Sequence, residues 1–298
     1  MDENYSYTYS TFEIKTPMLQ TRTLLIISFI LLVSACSLKT IYNRLDSLIP
    51  SYVEGMVSLD DVLEEKLEQR ASVLVSWHRN TQLSQYADLL RIFQKDIESP
   101  LNEESVLQHI ASIQLFWQSL ELKLNQEMAQ LLPLLNSAQQ EELFESIEEK
   151  NEDYYDEYVD LYKSERIDQY IETTTETYEN WLGYLSEEQE RIIEKAAAEL
   201  TSSASLRLDQ RRLWQRSIQD ILNTSDPEEI KSKQLQQFFK RFNINDQPQL
   251  KAVSEINKKI FARLTVEIVN QASVNQKTFF KNKTDEYIKI FTELVENR

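Results

Sequence analysis

Apolar residues recur along most of the chain at intervals of three and four positions, and no stretch alternates steadily between apolar and polar residues. Intervals of three and four place side chains on one face of an α-helix, whereas alternation is typical of strands. The clearest series comprises Val106, Ile110, Ile113, Trp117, Leu120, Leu124, Met128 and Leu131. The pattern predicts the all-α class, as an elongated multi-helix bundle of seven to nine amphipathic helices.

Prolines and short polar motifs indicate where the helices begin and end. The five prolines after residue 36 stand at positions 50, 100, 133, 227 and 248, and we expect each of them at a helix boundary. Ser-x-x-Gln precedes amphipathic runs at Ser137, Ser186 and Ser273, which predicts reciprocal capping boxes. A further capping box is predicted at 225–228, where Ser-Asp-Pro-Glu precedes a helical pattern.

Signals of the same kind predict one more helix end and the bounds of the helical domain. Gly183 is expected to end a helix, because glycine is common just past a helix C-terminus. The helical domain is predicted over 41–298, with a soft division near 223–226.

The amino-terminal region has the pattern of an export signal. Residues 24–33 form an apolar run of ten residues, with Arg22 just before it. A helix that spans a bilayer needs about 20 residues, so the run fits a secretory signal better than a membrane span. The following Val33, Ser34, Ala35 and Cys36 resemble a bacterial lipobox, in which the cysteine receives a diacylglyceride. We therefore expect a signal peptide over 1–35 and a lipidated Cys36, followed by a short tether over 36–40.

Two details refine this prediction. The first 17 residues carry acids where a signal peptide is normally basic, which favours Met18 over Met1 as the initiator. Ser37 follows the cysteine, and resemblance to Gram-negative lipoproteins of this type then implies the outer membrane, with the domain facing the periplasm. Two or more acyl chains make such an anchor stable.

The composition excludes several classes of functional site. The chain has 2 glycines, 2 histidines and 1 cysteine. Phosphate-binding loops need glycine, and zinc sites and disulfide frameworks need more cysteine or histidine than one chain offers. His78 and His109 lack the partners of a general base, and we interpret both as packed or surface residues. We expect no enzyme, no metal and no cofactor other than the covalent lipid on Cys36.

The charge is strongly negative and unevenly distributed. The formal net charge is −17, which disfavours nucleic acid as a partner. Residues 37–200 carry 34 acids and 13 bases, whereas residues 201–298 carry 12 acids and 17 bases. One interpretation is that the two parts attract each other within one fold. The other is that the acidic part docks a basic protein partner.

The most acidic segment is also rich in tyrosine. Residues 141–176 hold 14 acids and 3 bases, and like charges four positions apart destabilise a helix. A divalent cation, a basic partner or the chain's own arginines could offset this repulsion, and we favour pairing with Arg207, Arg211, Arg212 and Arg216, because the planar guanidinium suits carboxylates. The tyrosines predict either core packing or an aromatic groove for basic or unfolded peptides. The candidate interaction surface comprises Asp153, Tyr155, Asp156, Glu157, Asp160 and Tyr162.

Several motifs occur in the order of a known family: the lipobox at Cys36, Tyr42–Asp46, Trp77–Arg79, Glu148–Glu152, Trp181–Gln189 and Arg211–Gln215. Together they resemble a domain-of-unknown-function family of helical lipoproteins of Gram-negative bacteria. The resemblance covers essentially the whole chain after the lipobox and implies a lipid-anchored, all-helical envelope protein without an assigned activity.

A second resemblance bears on function. Leu185-Ser186-Glu187-Glu188-Gln189 is similar to the Leu-Thr-x-x-Gln motif of small periplasmic chaperones, although a helix cap explains the same residues. We therefore expect a membrane-anchored structural or interaction protein with a protein partner in the envelope. The alternative is a periplasmic holdase-like chaperone or envelope-stress factor.

Overall fold

The computed structural model describes residues 35–242 and 247–296. The predicted initiator Met18 and the lipobox residues Val33 and Ser34, like the rest of the signal peptide before Ala35, lie outside the described residues. For residues 35–37, which include Cys36, the structure describes the backbone alone. The domain predicted from residue 41 is therefore described almost completely, and the helical structure already begins at residue 35.

The described residues are all-helical and contain no strand, so the predicted all-α class is confirmed. Within those residues, no helix combines the length and the apolar character needed to cross a membrane. A 3₁₀ turn over Leu132–Leu134 and a π-helix over Tyr155–Val159 connect some of the α-helices. The α-helices are α1 (Ala35–Tyr42), α2 (Leu45–Glu54), α3 (Asp61–Thr81), α4 (Leu83–Asp96), α5 (Glu103–Leu131), α6 (Ser137–Tyr154), α7 (Lys163–Leu182), α8 (Glu187–Glu199), α9 (Ala204–Leu222), α10 (Glu228–Arg241), α11 (Pro248–Asn270) and α12 (Val274–Glu296).

The described residues form more helices than the seven to nine predicted, in part because two long helical patterns are interrupted. The pattern that runs from Ser58 toward Phe93 breaks at the buried Gln82, which separates α3 from α4. The pattern after Ser186 breaks at residues 200–203. Asn257 of α11 bonds the Thr201 backbone at this break, donating to its carbonyl at 2.7 Å and accepting from its N–H at 3.2 Å.

One proline does not end a helix as predicted. Pro50 lies inside α2, and its ring is buried against the bundle. A proline inside a helix removes the hydrogen bond to the carbonyl four residues earlier, which here belongs to Asp46 in the first turn. We infer that burial of the proline ring offsets this loss. The other four prolines stand beside helix boundaries, as predicted.

Polar caps fix several helix starts. The predicted reciprocal capping boxes of Ser186 and Ser273 are confirmed, with Gln189 and Gln276 returning to the backbone N–H of each serine at 3.0 and 2.8 Å. The first predicted box lies one residue earlier than expected, because Asn136 rather than Ser137 is the cap of α6. The capping box predicted at 225–228 is wrong, since α10 begins after Pro227 without a side-chain cap.

Three clusters of buried apolar side chains form the core. The first joins α7, α8 and α11 through residues such as Leu182, Ile193 and Ile268. The second joins the first helices of the chain to the last, with Leu38 of α1 and Leu294 of α12 each 1% exposed. The third joins α5, α9 and α10. Helix α12 contacts α1, α3, α4 and α7, so it links the first two clusters.

Ion pairs connect the acidic and the basic parts of the sequence. Arg212 pairs with Glu148, and Arg263 pairs with Glu199 at 2.8 Å. These contacts support the interpretation that the two parts attract each other within one fold. Each such surface pair contributes about 0–1 kcal/mol, so the apolar clusters contribute far more to stability.

Glycine is required at the end of α7. Gly183 has a φ of +84°, and an added Cβ would lie 3.0 Å from the Phe279 ring. We expect Gly183→Ala to lower the free energy of unfolding by about 1–2 kcal/mol, measured by urea denaturation. Gly55→Ala is the matched control, because Gly55 has a φ of −69° and its added Cβ would lie 3.4 Å from the nearest atom. Equal stability of the two variants would contradict a special backbone requirement at residue 183.

Candidate interaction site

The acidic and aromatic segment lies where α6 continues into the π-helix. The N–H of Asp160 donates to the carbonyl of Tyr155 at 2.9 Å, a bond to the fifth preceding residue that is typical of a π-helix. Such a turn removes the regular α-helical alignment of residues four apart, so we infer that it relieves the repulsion between Asp156 and Asp160. We call residues 153–162 the acidic corner.

The inner side of the acidic corner is fixed by aromatic contacts. Tyr154 is 4% exposed, and its ring centroid lies 4.9 Å from that of Tyr158. The guanidinium of Arg211, on α9, lies 5.1 Å from the Tyr154 ring centroid, within the range of a cation–π interaction. Burial raises the pKa of Tyr154 and lowers that of Arg211.

A buried polar network continues this contact between α6 and α9. Asn151 is fully buried and donates to Glu148 at 2.7 Å and to Gln215 at 2.8 Å. Arg212 pairs with the other oxygen of Glu148. Partial burial acts to raise the pKa of Glu148, but the hydrogen bonds from Asn151 and Arg212 outweigh it and hold this pKa below its usual value.

The four predicted arginines therefore have different surroundings. Arg212 pairs with Glu148, and Arg211 lies on Tyr154. Arg207 donates to Ser203 at 3.0 Å, and Arg216 is exposed. The acid that pairs with Arg212 is thus Glu148, which lies outside the candidate surface predicted from the sequence. Glu148 and Arg212 are 64 residues apart in the sequence, and no local spacing rule identifies such a pair.

The outer side of the acidic corner is open to solvent. Tyr155 is 42% exposed and Tyr162 is 79% exposed, while Glu157 is half-buried. The aspartates of the candidate surface, Asp153, Asp156 and Asp160, are all exposed. The site thus combines two accessible phenol rings with three accessible carboxylates on a backbone whose inner side chains are held by the bundle. Such a surface is suited to a partner that carries basic side chains.

A second, partly buried polar network holds α1 to the bundle. The hydroxyl of Tyr42 lies 2.8 Å from Nδ1 of His78, and Nε2 of His78 lies 3.2 Å from the hydroxyl of Tyr86. Arg79 donates to Asn43 at 3.0 Å. The motifs Tyr42–Asp46 and Trp77–Arg79 therefore contact each other in the fold. His78 is a packed residue, in agreement with the interpretation from the sequence.

Burial determines the ionisation of this network. It lowers the pKa of His78 to about 4 and raises that of Tyr86 to about 12. The imidazole is therefore neutral at neutral pH, with one ring nitrogen able to donate and the other able to accept. His109 is also packed, with its ring 4.7 Å from that of Phe93 and Nε2 2.8 Å from Asp96.

The Ser186–Gln189 motif lies at a buried junction between two helix starts. Gln189 is 1% exposed and donates to the carbonyl of Ile268 at 3.1 Å. Gln276, of the other capping box, is 2% exposed and donates to Gln189 at 2.8 Å. Both glutamines therefore cap a helix and bridge neighbouring elements, which accounts for the motif as a structural feature.

Fold and surface together define an all-helical bundle protein with an acidic and aromatic surface. The family model DUF6279, which describes a family of unknown function, matches residues 56–246. The chain belongs to this family, and the predicted resemblance to a domain-of-unknown-function family is confirmed. Comparison with curated proteins and with solved structures gives no match. The acidic corner, the Trp77–Arg79 motif and the α6–α9 network all lie within the matched range.

The α6–α9 network provides a first stability test. Asn151→Leu would leave the buried Gln215 amide without its partner, and we expect the free energy of unfolding to fall by about 2 kcal/mol in urea denaturation. The double variant Asn151→Leu/Gln215→Leu removes both polar groups and should recover part of this loss. A double variant that loses the sum of the two single effects would contradict the proposed coupling.

The Tyr42–His78–Tyr86 network provides a pH test. The pKa of His78 is about 4 in the folded protein and 6.5 as the unperturbed value. Between these values the unfolded chain binds more protons, so the free energy of unfolding should fall as the pH falls from 6.5 to 4, by about 3 kcal/mol. Above pH 6.5 the contribution of neutral His78 to the free energy of unfolding is fully retained. In His78→Gln the free energy of unfolding should fall less between pH 6.5 and 4. If the wild type and the variant gave parallel curves of unfolding free energy against pH, His78 would not be the group responsible.

Proposed function

We propose that this protein is a lipid-anchored envelope protein that acts through protein–protein contacts at the acidic corner, and that it is not an enzyme. The observation that carries the proposal is the acidic corner itself, where Tyr155 and Tyr162 are exposed and the neighbouring Tyr154 is held by Arg211. Tyrosine is enriched among the residues that supply most of the binding energy of protein–protein interfaces. The three exposed aspartates favour a partner with a basic surface.

The anchor is the second part of this proposal. The lipobox motif at Cys36 supports covalent lipidation, and Ser37, by resemblance to Gram-negative lipoproteins, supports sorting to the outer membrane with the domain in the periplasm. Helix α1 begins one residue before Cys36, and its residues Leu38 and Tyr42 are buried in the bundle. Lipid at this position would therefore hold the whole domain close to the membrane surface, rather than on a long flexible tether.

The alternative is a holdase-like chaperone. Its sequence support is the resemblance of Leu185–Gln189 to a chaperone motif, and the capping role of Ser186 and Gln189 explains these residues without client binding. We therefore favour the interaction protein, with one dominant partner, over a protein that binds many unfolded clients.

Cross-linking in cells tests this proposal. The lipidated protein should yield one dominant envelope partner, and Cys36→Ala should lose it because the domain is no longer held at the membrane. The variant Tyr155→Ser/Tyr162→Ser should weaken binding to the purified partner by about 30-fold, equivalent to about 2 kcal/mol.

A matched control separates the acidic corner from exposed tyrosines in general. Tyr184 is 49% exposed and lies outside the corner, so Tyr184→Ser should bind the partner normally. Recovery of many unrelated unfolded proteins, retained in Cys36→Ala, would instead support the chaperone.

A further inference from the structure

One side of α5 is exposed, uncharged and partly apolar. Leu115 is 63% exposed and Leu122 is 50% exposed, although both are large apolar residues. At about 3.6 residues per turn, they share one side of the helix with four other exposed residues, none of them charged. This α5 outer face comprises Gln108, Ala111, Leu115, Gln118, Leu122 and Gln126.

The lack of charge sets this part of the sequence apart. Residues 105–120 contain no lysine, arginine, aspartate or glutamate, whereas charged residues make up 27% of the whole chain. On α8, by contrast, seven of the eight exposed residues are charged, as expected for a solvated helix surface. An exposed surface of apolar and uncharged polar side chains is instead typical of a contact site.

The bundle holds α5 by a different side of the helix. The Phe116 ring lies 5.0 Å from that of Tyr86 on α4, and Glu127 accepts from Arg70 of α3 at 3.2 Å. By the helical repeat, Phe116 and Glu127 lie about 120–140° around the helix axis from the middle of the outer face. The α5 outer face is therefore turned away from α3 and α4.

The chemistry of the α5 outer face suits a second copy of the same chain. Two copies related by a twofold axis meet through the same residues, so every group on the face must tolerate its own kind. Leucine packs on leucine, and a glutamine amide can both donate to and accept from another glutamine. A charged group would repel its own copy, and each chain already carries a net charge of −17. An uncharged face lets two such chains meet with little local repulsion.

The spacing along the face fits antiparallel pairing. A twofold axis midway between Leu115 and Gln118 places each of them opposite the other in the second copy. Ala111 then lies opposite Leu122, so a small side chain leaves room for a large one. Glu121 borders the face, but in this register the Glu121 residues of the two copies lie about 13 Å apart along the axis, beyond the Debye length of about 8 Å at physiological salt.

We propose that this protein forms an antiparallel dimer in which the α5 outer faces of two copies pack together. The contact uses neither the acidic corner nor Cys36, so the inference is independent of the function proposed above. The face extends about 27 Å along the helix, and one pair of helices of that length buries less than the roughly 1,200 Å² of stable interfaces. The dimer is therefore reversible, with a Kd of about 10–100 μM in solution.

Cross-linking through one engineered cysteine tests the dimer. The full chain with Gln118→Cys is expressed in a Gram-negative bacterium, and the membranes are treated with a short bismaleimide. In the proposed register the cysteines of the two copies lie about 4.5 Å apart along the axis of the paired helices, within reach of the reagent. Ala198→Cys on α8 is the matched control, because Ala198 is also exposed and uncharged. Both variants retain Cys36, so cross-links through that residue are common to them.

The expected result is several-fold more cross-linked homodimer from position 118 than from position 198, with mass spectrometry identifying the link between two copies of residue 118. When added to Gln118→Cys, Leu115→Glu and Leu115→Lys should each reduce this link by about tenfold, because like charges then face each other near the axis. Co-expression of these two charged variants should restore the link, since the facing charges are then opposite.

Equal cross-linking at positions 118 and 198 would overturn the dimer. A link from position 118 to a different protein would overturn it as well, because the α5 outer face would then bind another partner. Failure of the two charged variants to restore the link on co-expression would contradict the antiparallel pairing of α5 with its own copy.

Discussion

The packing of helix α12 against α1, α3, α4 and α7 is the constraint on which the rest of the bundle depends. It joins the last helix of the chain to the first, and it buries Leu38 and Leu294 in one cluster. Because this cluster unites the first and last described helices, residues next to Cys36 belong to the core rather than to a separate tether. A lipid at Cys36 would therefore position the whole bundle.

Buried polar groups determine which arrangement of these amphipathic helices is stable. Helices with similar apolar faces can pack in many ways, but Asn151, Gln189 and His78 each have hydrogen-bond partners on other elements. A different arrangement would leave such groups without partners, at about 1–3 kcal/mol for each of them. The same networks fix Tyr154 and Tyr42, so they support both the acidic corner and the attachment of α1.

Helix type and many helix ends were predictable because local chemistry determines them. Spacings of three and four indicated helices, and the capping boxes of Ser186 and Ser273 were identified from residues within one turn. The break at Gln82 was not predictable, because neither glycine nor proline marks it, and the burial of Gln82 depends on residues distant in the sequence. Pairing of Arg212 with the acids of residues 141–176 was predicted, but Glu148 was not identified as the partner, since rules for pairs within one helix do not extend to partners on different helices.

The π-helix shows how local repulsion and tertiary contacts together produce the candidate site. The acidic corner is unfavourable as a regular helix, since aspartates four apart repel each other. Its inner residues are nevertheless held by the contact of Tyr154 with Arg211. The inner side of the acidic corner is held by the bundle and its turn is widened. Tyr155 and the three aspartates remain exposed to solvent. These exposed carboxylates are then available to a basic partner, which is why we place the protein–protein contact at the acidic corner.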